Sequence, residues 1–201
     1  MDIEIRKLTP GLAEDYVRFF DETPHSERPD KFKCYCVMWC SDNHHILNRR
    51  FLASEKVRRN LAVRYVQNNV LQGYLAYCGN KVVGWCNANT KSDCTKCFSL
   101  RMATFIPAED AASKTKIKSI FCFAIAPEMR RQGISGLMLE HVCQDAARDG
   151  FGYVEAYPRK EFANEADDFF GPAELYRKNG FTVHLEIDDR LVMRKKLKET
   201  P

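Results

Sequence analysis

The sequence predicts a single α/β domain built on a mixed β-sheet, and three observations carry that expectation. Its 201 residues fit one domain, since domains usually hold about 100 to 200 residues. Segments with the two-residue alternation of strands are interleaved with segments of helical three- and four-residue spacing. In mid-chain, two β-rich runs flank Gly79-Asn80, and a two-residue Gly-Asn connection marks an antiparallel hairpin.

Taken in order, Ile3 and Ile5 alternate with Glu4 and Arg6, as in a half-buried first strand. Pro10 and Gly11 lead into a helix over 12–20, where Leu12, Tyr16, Phe19 and Phe20 share a face. Residues 23–30, punctuated by Pro24 and Pro29, form a loop into the aromatic and cysteine-rich run Phe32-Lys-Cys-Tyr-Cys-Val-Met-Trp-Cys40. Ser54 can cap a helix whose apolar residues Val57, Leu61, Ala62, Tyr65, Val66 and Val70 recur at helical spacing. The hairpin strands follow at 74–78 and 81–87. Residues 88–116 lack clear periodicity and form a long connection, which in a compact domain is more often functional or mobile than idle.

A strand over 117–126 then feeds the junction Pro127-Glu-Met-Arg-Arg-Gln-Gly-Ile-Ser-Gly136. The helix beyond it sets Ile134, Leu137, Met138, Val142 and Ala146 on one face and ends near Gly150, a good C-cap residue. Next come a strand at 153–157, a short helix over 173–179 opened by Pro172 and closed by Gly180, and a closing hairpin, 181–185 with 191–197, around Asp188-Asp189. There is no internal repeat and no low-complexity segment.

Composition narrows the function. With 45% hydrophobic and 29% charged residues the chain is not of a disordered type. The net charge of +4 is spread out apart from residues 194–198, and no basic stripe is interleaved with aromatics, so no nucleic-acid partner is expected. No apolar stretch approaches the ~20 residues that span a bilayer, and the N-terminus lacks a signal-peptide core. These features point to the cytoplasm and to no membrane partner. Nine cysteines without a secretory signal read as free thiols or ligands, not as a disulfide framework.

The junction 127–136 invites a chemical reading. A helix N-terminus leaves up to four backbone N–H groups unpaired and carries about half a positive charge, so it can hold an anion. Gly133 and Gly136 allow close approach, Arg130 and Arg131 add charge, and Ser135 adds a hydroxyl, a set suited to a phosphate or pyrophosphate. No Gly-Lys-Ser/Thr is present for a P-loop, and Gly-x-Gly-x-x-Gly is absent. On this motif alone, a loop that merely turns remains an open alternative.

The segment Phe123-Ala-Ile-Ala-Pro-Glu-Met-Arg-Arg-Gln-Gly-Ile-Ser-Gly-Leu-Met-Leu139 resembles the acetyl-CoA-binding motif of the GCN5-related N-acetyltransferases (GNAT), Arg/Gln-x-x-Gly-x-Gly/Ala between a strand and a helix. Ser135 departs from the usual glycine or alanine. Ala173-Glu-Leu-Tyr176-Arg-Lys-Asn-Gly180-Phe181 is similar to the family's late Leu-Tyr-x-x-x-Gly-Phe segment. The resemblance is clear over 74–197. It implies a GNAT fold in one domain, 1–201, with 1–70 supplying the first strand, helices and an acceptor-side segment, and 71–201 the acetyl-CoA-binding core.

By this resemblance the acyl donor is acetyl-CoA, and the acceptor is a primary amine of a small molecule, attacked directly in a ternary complex. A homodimer is compatible with it. The strand before the loop splays from its neighbour, and Phe123, Ala124 and Ile125 would hydrogen-bond the pantetheine arm. Arg130, Arg131, Gln132, Gly133, Ile134, Ser135 and Gly136 would hold the pyrophosphate. Tyr176 matches the family's tyrosine near the sulfur and is the candidate general acid; the alternative is a tyrosine packed under the sheet. Some members carry a glutamate about eleven residues before the loop's arginine. Here that position is Ser119, which cannot serve as base. Glu155, on the adjacent strand, is the replacement candidate, because a partly buried carboxylate can have a raised pKa; pairing with a nearby arginine and proton removal by water stay open beside it.

Cys34, Cys36 and Cys40, with His44 and His45 nearby, and the pair Cys94 and Cys97 offer soft ligands for zinc. An extended Cys-x-Cys would point its side chains to opposite faces, against chelation, and no metal is expected. The remaining readings are thiols packed beside Tyr35 and Trp39, or an acceptor pocket lined by Cys34, Tyr35, Cys36 and Trp39, whose aromatics suit an amine. Two further functions stay open: an acyl-CoA sensor without turnover, since Ser119 replaces the usual base, and a zinc-binding interaction protein.

Overall fold

In the computed structural model, which describes residues 2–23, 33–40, 47–48, 51–52, 54–94, 97, 115–162 and 169–197, the alternating first segment is β1 (Ile3–Lys7). A 3-10 turn, Pro10–Leu12, leads into α1 (Ala13–Glu22), which buries Tyr16, Val17, Phe19 and Phe20. A two-residue ladder, β2 (Leu47–Asn48) with β3 (Phe51–Leu52), stands apart from the main sheet. The Ser54 hydroxyl accepts the Val57 N–H and caps α2 (Glu55–Gln67). Leu61, Ala62 and Val66 are its buried apolar residues, whereas Val57 and Val70, expected on the apolar face, are exposed.

The hairpin forms as β4 (Gly73–Cys78) and β5 (Lys81–Thr90), the latter three residues longer than the sequence pattern suggests. β6 (Ile117–Ile125), α3 (Ile134–Arg148) and β7 (Tyr153–Ala156) make a strand–helix–strand unit. Then come α4 (Ala173–Lys178), β8 (Thr182–Ile187) and β9 (Arg190–Lys196). The seven-stranded sheet runs β1-β4-β5-β6-β7-β9-β8. Only β6–β7 is parallel, as the helical crossover through α3 requires.

Both faces of the central strands are covered, while the edge strand β8 is exposed. Tyr16 of α1 meets Trp85 edge-on at 4.7 Å, and side-chain alternation puts Asn87 and Asn89 on that same face. On the other face the Tyr74 hydroxyl donates to Asp145 of α3 at 3.0 Å, and Cys86 is its cross-strand neighbour. α3 buries Met138, Leu139, Val142, Cys143 and Ala146; each large apolar side chain taken out of water contributes roughly 1.5–3 kcal/mol. Leu137, expected on this face, is instead 41% exposed, and Leu139 is buried in its place. Gly150 ends the helix at φ +75°, where a side chain would be strained.

β6 departs from regular pairing on both of its edges. Asn87 pairs with Cys122 but Ala88 with Ile120, so Phe121 is an unmatched bulge residue that redirects the strand. Pairing with β7 stops at Ile120 opposite Ala156. Residues 121–125 therefore leave their β7-side edge outside the ladder.

Candidate functional site

The junction after β6 is built for close approach of a ligand to the backbone. A 3-10 turn, Pro127–Met129, brings the chain to Arg131 at φ +60° and Gly133 at φ +80°. Gly133 is the N-cap of α3 and supplies no side-chain cap. The first helical bond is Leu137 N–H to Gly133 O, which leaves the preceding amides as donors at the positive end of a fifteen-residue helix. At Gly133 and Gly136 a Cβ would meet nothing within 4 Å; it would intrude on the open space that a ligand needs.

That space is a cavity of about 490 Å³. Every residue expected at the cofactor lines it except Gln132. Gln132 turns back, its Nε2 donating to Glu128 O at 3.1 Å. Arg130, while lining the cavity, donates from Nε to Ile125 O at 3.2 Å, so it also braces the loop against the end of β6. From the loop the cavity follows the open edge of β6 to Phe169, Gly171 and Leu175, and reaches Phe20 and Thr23 at the end of α1. Sequence alone does not single these residues out. The one local signal is the Gly171-Pro172 step that opens α4, and Gly171 adopts φ +80°.

The β6 edge within the cavity is partly satisfied from inside the chain. The Phe123 N–H donates to Phe169 O at 2.7 Å. The Tyr176 hydroxyl donates to Phe170 O, and the ring is wholly buried against Phe181 at 5.4 Å. Two consecutive carbonyls thus hold an edge amide of β6 and the candidate acid. Gly171, which lines the cavity, adjoins this pair: a Cβ on it would stand 3.6 Å from the Phe123 ring and 4.0 Å from the Tyr176 hydroxyl.

Glu155 is not at the cavity. It is fully buried, with Oε1 accepting from Lys91 Nζ at 2.7 Å and from the Tyr157 hydroxyl, and Oε2 accepting from Arg194 Nε. Taking up an amine's proton would break this set, so the arginine-paired alternative describes Glu155 and the role of base does not. Because Tyr157 spends its proton on Glu155, Ser119 must donate in the 2.9 Å contact between the Ser119 and Tyr157 hydroxyls. Burial, with the Glu155 charge second, raises the Tyr157 pKa well above its ordinary value.

This set belongs to a row that local patterns do not reveal. Asn89 lies opposite Ser119, Ser119 opposite Glu155, and Glu155 opposite Arg194. Four adjacent strands therefore present four polar residues in one line on the α1 face, flanked by Asn87, Lys91 and Tyr157. The available signal is the alternation Asn87, Asn89, Lys91, which a strand ending at residue 87 leaves out.

The acceptor-side expectations also need correction. Cys34, Tyr35, Cys36 and Trp39 are absent from the cavity lining among the described residues. Tyr35 is buried, its hydroxyl donating to Asp21 at 2.6 Å. Trp39 stacks on Phe121 at 4.6 Å and meets Phe170 edge-on at 5.8 Å. The Cys-x-Cys step is not extended: Tyr35 and Cys36 have φ +49° and +46°, and the Cys36 N–H points to Cys34 Sγ at 3.5 Å. The Trp85 indole donates to Cys36 Sγ at 3.3 Å. Packed thiols are therefore the reading that fits. None of the nine cysteines is joined in a disulfide. Burial pushes the Cys40 and Cys86 thiols well above the ordinary range and Cys143 up to about 11, while a hydrogen bond with Cys122, then burial, raises Cys36. Among the described residues no three metal-ligating side chains are placed to hold an ion. His44 and His45 lie outside the described residues. No described helix is long and apolar enough to cross a membrane.

Comparison with known proteins bears on this geometry. The family described as "Acetyltransferase (GNAT) domain" matches residues 70–183, more than half of the chain. None of the curated proteins matches the sequence. Among solved structures, a GNAT-family acetyltransferase from Streptococcus pneumoniae is 16% identical, with 98% of this chain and 100% of that chain covered and a TM-score of 0.54. The PaiA N-acetyltransferase of Thermoplasma acidophilum, in complex with coenzyme A, is 16% identical over 98% and 99% of the two chains, with a TM-score of 0.50. An N-acetyltransferase from Staphylococcus aureus is 13% identical over 98% and 100%, with a TM-score of 0.55. At these identities the likeness is one of fold.

Proposed function

Since the chain belongs to the GNAT acetyltransferase family, we propose that it is an N-acetyltransferase that moves the acetyl group of acetyl-CoA to a primary amine of a small molecule. The observation that carries this reading is the cavity: it joins an uncapped helix N-terminus, flanked by Arg130 and Arg131, to a strand edge released from its neighbour. Acetyl-CoA would supply the activated acyl group and, when bound, a pyrophosphate and an amide-bearing arm for those surfaces.

In this reading the amides at the start of α3 bind the pyrophosphate, and Arg131, at the rim, adds charge. The Phe123–Ile125 edge aligns the donor, and the Phe123 N–H, held by Phe169 O at 2.7 Å, must first exchange that acceptor for the incoming arm. Attack by the amine nitrogen forms the C–N bond and breaks the C–S bond. Tyr176 gives its proton to the departing sulfur and must first exchange its hydrogen bond to Phe170 O for that new acceptor. The amine's proton leaves through water, because Ser119 is no base and Glu155 is fully engaged.

Gly133→Val is the direct test. The substitution forces a β-branched residue to φ +80° in the cradle, which costs on the order of 1–2 kcal/mol and blocks the approach. Titration calorimetry is expected to show CoA affinity lowered by about tenfold or more, while Ser135→Gly keeps or tightens it. Unchanged affinity in Gly133→Val would remove the cradle from the reading. A thiol-detection assay with a panel of amines then separates turnover from binding: saturable CoA binding with no release for any amine selects the sensor.

A further inference from the structure

The buried polar row on the α1 face contains a hydrogen-bond chain whose direction is fixed and whose last donor has no partner among the described residues. The Gln72 main-chain N–H can only donate, and it donates to Asn89 Oδ1 at 3.2 Å. Asn89 must then turn its Nδ2 toward Asn87, where Asn87 Oδ1 accepts it. The Asn87 Nδ2 is left outside this pair. Exchanging its oxygen and nitrogen would set two NH2 groups against each other, so the usual amide ambiguity is closed here. Asn87 is 0% exposed, and among the described residues its Nδ2 has no hydrogen-bond partner. Such a donor carries an uncompensated desolvation penalty, which an arriving acceptor atom would relieve.

The position of this donor is as informative as its isolation. Asn87 lies opposite Cys122, at the bulge and one residue before Phe123, whose backbone edge borders the cavity. It shares its face of the sheet with Trp85 and α1, and Phe20 of α1 lines the same cavity. Asn87 itself is not among the residues lining the cavity; beside its partner Cys122, the bulge residue Phe121 stacks on Trp39, which reaches Phe169 of the lining at 6.5 Å between ring centres. The cations nearest in the row, Lys91 and Arg194, are bound to Glu155, so the orphan amide offers a neutral donor. A neutral carbonyl oxygen is the matching group; a carboxylate would bring a charge that the amide alone cannot offset.

We propose that Asn87, positioned by Asn89, is a recognition point for a carbonyl oxygen carried by the acyl acceptor, so that preferred substrates are amines with a neighbouring amide or ester, as in amino-acid amides. The inference rests on the acetyl-transfer reading. A thioester carbonyl of the acyl donor has the same chemistry, and the test separates the two sources.

The experiment is calorimetric binding of phenylalanine amide and of phenethylamine, which differ only in the carboxamide, to the CoA-loaded full chain. The expected result is at least tenfold tighter binding of the amide. In Asn87→Ala, and in Asn87→Ser as a gentler variant, that preference is expected to vanish while phenethylamine and CoA affinities stay within twofold. Equal binding of the two amines by the wild type, binding of neither, or a preference that survives in both variants overturns the proposal. Loss of acetyl-CoA affinity instead assigns the donor to the thioester and overturns it as well, as does a fall in Tm without any change in binding, the mark of an internal water. Because binding is read and not turnover, failure of acetyl transfer would show separately, as CoA retention in the thiol assay.

Discussion

The two faces of β6, β7 and β9 are both largely out of water and chemically opposite. Toward α3 they present Ile120, Val154, Ala156 and Met193, none of them accessible. Away from α3, alternate positions on the same strands present Ser119, Glu155 and Arg194, continued by Asn89 on β5. The apolar face is what packing against a helix requires, and area removed from water stabilises it without direction. The polar face gains little net stability, because its charges must be desolvated before they can pair. Its retention in a small domain is the kind of local conflict that marks a functional surface.

The largest perturbation of this contrast is Glu155→Ala, which removes the buried carboxylate that Lys91 and Arg194 both bind. We expect a loss of about 3–5 kcal/mol, read as a lower midpoint in urea. A loss below about 1 kcal/mol would mean that the row is no more than a wetted surface. The second test places the same question on the other face. Lys118 pairs with Val154 on the α3 side, and burial lowers its pKa from 10.5 to about 8. Between those values the unfolded chain holds a proton that the folded one has lost, so the Lys118 contribution makes stability rise with pH across that window. Subtracting the Lys118→Met profile from the wild-type profile should leave a rise of at most ~3 kcal/mol between pH 8 and 10.5; a flat difference would show that the apolar face tolerates charge as readily as the polar one. The smallest effect is expected from Ser119→Ala. Tyr157 keeps its bond to Glu155, so the loss is about 0.5–1.5 kcal/mol, with CoA affinity unmoved in the same calorimetric assay.

Legibility from sequence follows the range of the interactions. β1, the β4–β5 hairpin and α3 are readable because their patterns repeat within a few residues. The cradle is readable because its requirements, glycine at positive φ and an uncapped helix start, are met within residues 130–136. Glu155 is visible as a carboxylate on a strand, but its partners stand 64 and 39 residues away in the chain, and nothing local distinguishes a base from one arm of an ion set. Trp39 is misplaced by sequence for the same reason, since its stacking partner Phe121 lies on a strand far along the chain. Leu137 and Leu139 show a finer limit: helical spacing alone does not decide which of two nearby leucines points inward.

The cysteines give the two faces separate clocks. Cys143 is on the buried side of α3 with Cys86 beneath it, while Cys36 and Cys122 lie beside α1, and all four are buried, free and held protonated near neutrality by their surroundings. An alkylating reagent reaches each only when its own layer opens. Site-resolved mass spectrometry of labelling would therefore time the two openings independently, within a single unmodified molecule. The same protection keeps a chromogenic disulfide reagent slow toward these four thiols, so newly liberated CoA would stand out against them.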